Sequence, residues 1–123
     1  MRPLLIAIIV VSSLSFATTP STIYAMGGGS DDGKKIGPNF VEGKKAIQEG
    51  RYKEAIAALQ RSASKNPKNA DIENLIGFSY RQLKDYEKAF AHYVLALKID
   101  PKHKQAMEYM GIAYLETKNL EQA

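Results

Sequence analysis

The chain has 123 residues, a length that accommodates one small domain, and a formal net charge of +4. It contains no cysteine, which excludes a disulfide framework, a cysteine-based metal site and a lipid-modified cysteine behind a leader. The lysines are scattered without a run of five like charges, and no basic patch is interleaved with aromatic residues. The composition therefore gives no indication of a nucleic-acid partner.

The N-terminus has the pattern of a secretory signal peptide spanning residues 1–25. A positive start is followed by an apolar run from Leu4 to Ala17, and Pro20 then interrupts helix formation. We predict cleavage after Ala25, with cleavage after Ala17 as the alternative. A membrane-spanning helix needs about 20 apolar residues, so this shorter run favours a signal peptide over an anchor. The protein is expected to be exported without a stable membrane span, to the periplasm of a Gram-negative source or otherwise secreted.

Residues 26–37 are rich in glycine and lack apolar periodicity, so we interpret them as a flexible tether. Within this tether, the stretch from Gly28 to Lys34 has the spacing of a phosphate-binding loop. Lys35, however, occupies the Ser/Thr position of that motif. No apolar strand precedes it, and Asp31 would repel phosphate. We therefore predict no nucleotide cofactor.

After the tether, residue types recur every 34 positions. The recurring sets are Gly43, Gly77 and Gly111; Ala55, Ala89 and Ala123; Tyr52, Tyr86 and Leu120; Ala46, Tyr80 and Tyr114; and Pro67 with Pro101. A fixed period in this range indicates stacked supersecondary units that share one core. We place the units at residues 36–69, 70–103 and 104–123, the last of them incomplete.

The middle unit is predicted to form two antiparallel helices. Apolar residues follow a spacing of three and four between Ile72 and Leu83, which predicts the first helix. Asp85 is placed to cap a second helix, and Pro101 ends that helix. Gly77 is small where the two helices must approach closely, which offsets its cost of about 1 kcal/mol in a helix interior.

The positions that carry a family resemblance are Leu75, Ile76, Gly77, Tyr80, Tyr86, Ala89, Tyr93, Ala96 and Pro101. Together they closely resemble the tetratricopeptide repeat. The resemblance extends over residues 36–123 and departs from the family at Glu73, where a large residue such as tryptophan is common. It implies an all-α, antiparallel helix-turn-helix array of the α-solenoid type. It also implies a non-catalytic module or scaffold for protein–protein interaction.

The resemblance further implies a concave groove, lined by the first helix of each unit, that binds a peptide or a partner helix. The groove residues are then Phe40, Lys44, Ile47, Asn74, Phe78, Arg81, Ile112 and Leu115. Stacked units would place Lys44, Phe78 and Ile112 in one row, and apolar residues in such a row suit an amphipathic helix. The alternative is that Phe78 and Ile112 only pack between neighbouring repeats.

Other kinds of site are not predicted. Some family members bind a C-terminal carboxylate, but Phe40, Leu75 and Tyr109 stand at three of the positions that such binding uses. His92 is expected to face outward and His103 to lie in a turn between repeats. Neither has a carboxylate or histidine four positions later, so we predict no metal site. We likewise predict no catalytic residue and no cofactor.

The two ends of the repeat region are less regular. Asn39 with Glu42 three residues later resembles a capping box that opens the first helix. Ala123 falls where the second helix of the third unit opens, so that helix is represented only by residues 119–123. The residues expected to lack part of their cover are Tyr109, Met110, Ile112, Ala113, Tyr114 and Leu115.

An uncovered apolar stripe predicts self-association or marginal folding of the chain. It also leaves open an alternative function, in which the repeats are an accessory part of a longer envelope protein or enzyme whose active part lies beyond residue 123.

Overall fold

A computed structural model describes residues 37–122, which form five α-helices and no strand within that range. The helices are α1 (Pro38–Gln48), α2 (Tyr52–Lys65), α3 (Ala70–Gln82), α4 (Tyr86–Ile99) and α5 (Lys104–Gln122). The predicted all-α fold is confirmed. The predicted signal peptide and most of the predicted tether, together with Ala123, lie outside the described residues. In the described part of the chain, no helix combines the length and apolar character that crossing a bilayer requires.

The helices pack as successive hairpins. Within units, α1 packs against α2 and α3 against α4; between units, α2 packs against α3 and α4 against α5. The first helices also touch one another, α1 with α3 and α3 with α5. The first helices of the three units therefore lie side by side along one face of the array.

The turns inside the first two units have the same geometry. Gly50 and Lys84, which are equivalent in the 34-residue period, both adopt a left-handed backbone conformation, with φ of 73° and 64°. In the second turn, the amide of Asp85 donates to the carbonyl of Tyr80 at 3.0 Å, closing the helix end in a Schellman-type bond. The Asp85 side chain accepts the amide of Lys88, which confirms the predicted cap.

The start of α1 differs from the prediction. The helix begins at Pro38 with Gly37 as its N-cap, and no side chain caps it. Asn39 and Glu42 both accept hydrogen bonds from Arg61 on α2, each at 3.2 Å. The predicted capping box is wrong because proline, with its fixed φ and no amide hydrogen, already suits the first helical position.

The core depends on a close approach of the two helices in each complete unit. A Cβ built on Gly43 would lie 2.6 Å from Leu59 Cγ, and one built on Gly77 would lie 2.8 Å from the Tyr93 ring. Leu59 and Tyr93 are fully buried. Each glycine thus leaves a space that is filled by a large side chain of the second helix. This explains why glycine recurs at this position of the 34-residue period.

The third unit departs from the expected hairpin. Helix α5 continues to Gln122 without a turn, although Lys118 is equivalent to Gly50 and Lys84. A left-handed lysine is unfavourable, and within residues 37–122 no following helix packs on α5 to offset that cost. Of the residues expected to lack cover, Ala113 is fully buried against α4, whereas Tyr114 is exposed. Within residues 37–122, the uncovered face of α5 therefore contains Gly111, whose Cβ position has no atom of another helix within 4 Å.

The two glycines predict opposite effects of adding a methyl group. Gly77→Ala should lower the free energy of unfolding by about 1–3 kcal/mol, because the new Cβ overlaps the buried Tyr93 ring. Gly111→Ala should raise it by up to about 1 kcal/mol, because its Cβ meets open space and alanine favours the helix. Urea unfolding of dilute protein measures both. A shift of the same sign in both variants would contradict the close-approach explanation.

Candidate functional site

The predicted groove residues on α1 and α5 are accessible. Phe40, Lys44 and Ile47 are partly exposed, and Lys44 Nζ lies 5.7 Å from the centroid of the Phe40 ring. On α5, Ile112 is partly exposed and Leu115 is 65% exposed. All five side chains are therefore accessible to a partner without any rearrangement of the fold.

The predicted residues on the central helix α3 differ from one another in exposure. Asn74 is 1% exposed and Arg81 is 7% exposed, so both lie beneath the surface. Phe78 is partly exposed. Of these three residues on α3, Phe78 is therefore the one that a partner could contact directly. Asn74 and Arg81 could affect the surface only through the side chains that they touch.

Phe78 lies at the centre of an aromatic cluster that joins three helices. Its ring centroid is 6.3 Å from that of Tyr52 on α2, in an edge-on arrangement, and 5.3 Å from that of Tyr109 on α5. The Arg81 guanidinium lies 5.4 Å from the Phe78 centroid and 5.5 Å from the Tyr109 centroid. Phe78 thus packs between repeats and also contributes to the surface, so the two roles considered from the sequence are compatible.

Arg81 is fixed by an ion pair as well as by the aromatic rings. Its Nη1 atom donates to Glu116 Oε1 at 3.2 Å, and the two side chains are only 8% and 33% exposed. A charge removed from water in this way requires its partner, since an unpaired buried charge is strongly destabilising. The ion pair joins α3 to α5 and so fixes the positions of these two first helices relative to each other.

Tyr93 lies beneath this network and responds to it electrostatically. Burial raises the pKa of Tyr93 above the usual range of tyrosine, and the nearby Arg81 guanidinium opposes part of that increase because it favours the phenolate. The neutral phenol is therefore the stable form in the folded protein at ordinary pH.

Several buried polar side-chain atoms have no hydrogen-bond partner among residues 37–122, including Asn74 Oδ1, Arg81 Nε and Glu116 Oε2. Buried polar groups of this kind are costly when left unpaired. Asn74 Oδ1 and Glu116 Oε2 could each accept a further hydrogen bond, and Arg81 Nε could donate one.

Both histidines make contacts that sequence reasoning missed. His92 Nδ1 lies 2.7 Å from Glu73 Oε2, and its ring stacks on Tyr80 at 5.5 Å. The prediction that His92 faces outward is therefore wrong, since it faces α3. His103 lies in the predicted turn, and its Nε2 lies 2.6 Å from Asp71 Oδ1. These carboxylates are 19 and 32 positions away in the chain, beyond any local spacing rule.

The role of His103 could have been found from the 34-residue period of the sequence. His103 is equivalent to Asn69, whose side chain caps α3 by accepting the amide of Ile72. His103 Nδ1 likewise accepts the amide of Ala106 and caps α5. Within residues 37–122, no group of three His, Cys, Asp or Glu side chains is arranged to hold a metal ion. Through these contacts His92 joins α4 to α3, and His103 caps α5 and pairs with Asp71 on α3.

Comparison with known proteins agrees with the repeat geometry. Residues 70–103 match the sequence model of the tetratricopeptide repeat. A stretch of 82 residues, 67% of the chain, is 32% identical to peroxisome biogenesis protein 5 of Arabidopsis thaliana and covers 11% of that relative. A stretch of 60 residues, 49% of the chain, is 38% identical to anaphase-promoting complex subunit 3 of Schizosaccharomyces pombe and covers 9% of it. The chain therefore spans about a tenth of the length of these relatives.

The hairpins, their 34-residue period and the adjacent first helices define a helical-repeat protein with an extended surface. The chain belongs to the tetratricopeptide repeat family. Its repeats form a protein–protein interaction module, as the resemblance in the sequence predicted.

The buried phenol predicts a specific dependence of stability on pH. Because the pKa of Tyr93 is raised by folding, its contribution to stability is complete below the unfolded value of about 10 and is lost as pH rises beyond it. Tyr93→Phe should therefore make the free energy of unfolding fall less steeply above pH about 10. Denaturant melts at several alkaline pH values measure this slope. Tyr114→Phe, at an exposed tyrosine, is the matched control, and an equal flattening in both variants would contradict the assignment.

Proposed function

We propose that the repeats bind a peptide or a partner helix along the face formed by α1, α3 and α5, without catalysing a reaction. The observation that carries the proposal is that three partly exposed apolar side chains, Ile47, Phe78 and Ile112, lie on three first helices that pack side by side. Apolar side chains spaced along adjoining helices match the apolar face of an amphipathic helix. A surface already fixed by packing also lowers the ordering cost of binding.

The charges along this face suggest the polarity of the partner. Lys44 lies at the α1 end, while exposed Glu108 lies on α5. An apolar segment with an acidic residue near α1 and a basic residue near α5 would complement both. Electrostatic complementarity of this kind determines orientation and association rate more than affinity.

A second candidate is that these repeats serve as an accessory part of a longer envelope protein or enzyme. The observation that favours it is length, because the chain corresponds to about a tenth of the two relatives described above. One of those relatives is, by its name, a subunit of a complex. In this case the groove would bind a segment of the same assembly.

We also propose that the protein acts outside the cytoplasm, because residues 1–25 have the pattern of a signal peptide. Self-association through the third unit is a further proposed interaction.

Export can be tested by mass. Protein recovered from the cell envelope or medium should lack about 25 residues, a length typical of signal peptides. Intact-mass spectrometry measures the loss and distinguishes cleavage after Ala25 from cleavage after Ala17. Recovery of the full-length chain in the cytosol would contradict the proposal.

Groove binding can be tested by site-specific photo-crosslinking in cells. A photoreactive residue at position 112 should capture a partner, whereas one at exposed position 57 on α2 should not. Phe78→Ala should then weaken binding of the captured partner by about 1–3 kcal/mol, as expected of an interface anchor. Its helical content should remain nearly intact, although loss of the contacts with Tyr52 and Tyr109 should lower the melting temperature.

The matched control is Phe90→Ala, which removes a partly buried aromatic residue that contacts Tyr114 at 4.4 Å on the other side of α5. It should lower the melting temperature without changing affinity. If Phe78→Ala leaves the affinity of folded molecules unchanged, Phe78 only packs between repeats and its role in the groove is excluded.

A further inference from the structure

One face of α5 has the form of an interface whose other half is missing from residues 37–122. In the complete units, the first helix contributes a glycine and the antiparallel second helix fills the space with Leu59 or Tyr93. Gly111 occupies the same position in the period, and no atom of another helix within residues 37–122 lies within 4 Å of its Cβ position. We call the space over Gly111 the glycine slot.

Large exposed side chains surround the glycine slot. Met107, Tyr114 and Leu115 are 47%, 59% and 65% exposed. They lie four residues before, three after and four after Gly111, so all share its face of the helix. The same helix face therefore provides both a slot for a large side chain and large side chains of the kind that fill such slots.

We propose that this face binds the same face of a second copy of the chain. The two α5 helices are antiparallel, with Leu115 of each copy seated in the glycine slot of the other. An isologous, two-fold symmetric contact of this kind uses one patch twice and closes as a dimer. The antiparallel arrangement continues the packing that the complete units already use between their own helices.

The charges on α5 agree with this register. In an antiparallel pair, opposed positions run in opposite directions along the two helices. When Gly111 faces Leu115 of the second copy, Glu108, three residues before Gly111, faces Lys118, three residues after that leucine. Both side chains are exposed, and neither forms an ion pair within residues 37–122. Two-fold symmetry makes two such Glu–Lys pairs, one on each side of the slots.

A second copy is the occupant that these observations favour. A helix of another protein, or of a longer form of this chain, could fill the slot, but it would have to supply a large side chain and a correctly spaced positive charge. The chain already carries both on the helix concerned. The glycine slot adjoins the groove at Glu108 and Leu115, but the proposal does not depend on groove binding.

Sedimentation equilibrium of the purified 123-residue chain tests the proposal. The expected result is a reversible monomer–dimer equilibrium at micromolar to tens of micromolar concentration. Gly111→Leu should weaken the dimer by about 10- to 100-fold, because the added side chain occupies the slot. The monomer should remain folded, with an unchanged or raised melting temperature, since the position is open and leucine favours a helix. Ala57→Leu, which adds a leucine at an exposed position on α2, should leave association unchanged.

Charge exchange tests the register. Glu108→Lys and Lys118→Glu should each weaken the dimer several-fold, because like charges then face each other twice. The double variant should restore most of the affinity, since the pairs are re-formed with the charges exchanged. Lys44→Glu in the groove should have no effect on association.

Four results would overturn the proposal. They are a monomer at every concentration, open-ended oligomers, a dimer that Gly111→Leu leaves intact, and charge variants whose effects add instead of compensating. Capture of a different protein through a photoreactive residue at position 111, with no dimer in solution, would show that another helix fills the slot.

Discussion

The close approach of two helices at a glycine is the constraint on which the rest of the structure depends. Gly43 and Gly77 allow Leu59 and Tyr93 to lie where a Cβ would otherwise be, so each hairpin closes tightly. The two helices of a hairpin pack in the same tight way in each complete 34-residue unit. The first helices of successive units consequently meet one another along one face. The face formed by the first helices is thus a consequence of packing at two glycines on another face of the same helices.

The face of the first helices is supported by a polar layer. Arg81 lies between the Phe78 and Tyr109 rings and is paired with Glu116, so one side chain couples α3 to α5. The arrangement is costly in isolation, because burying an ion pair requires dehydration that hydrophobic packing would avoid. Its effect is to fix the positions of partly exposed aromatic residues, and a rigid surface loses less conformational entropy on binding.

Much of the fold could be predicted from the sequence, because repetition supplied several independent observations of each position. Gly77 and Asp85 indicated a close approach and a helix cap from local chemistry alone. The start of α1 could not be predicted from Asn39, since an Arg61 side chain 22 positions away competes for it. The burial of Asn74 and Arg81 and the Glu73–His92 pair depend on how units stack, and a helical wheel of one helix carries no such information.

The third unit shows that one helix can present two separate surfaces. Ile112 follows Gly111 by one residue, a rotation of about 100° around the helix, so one faces the groove and the other faces the uncovered side. Leu115 lies at the border between them. Contact of two copies through Gly111 would leave Ile47, Phe78 and Ile112 accessible in both. A dimer formed in this way would carry two grooves held by a rigid connection. A partner with two binding segments, or an array of partners, would then gain avidity from the second groove without any new contact in the first.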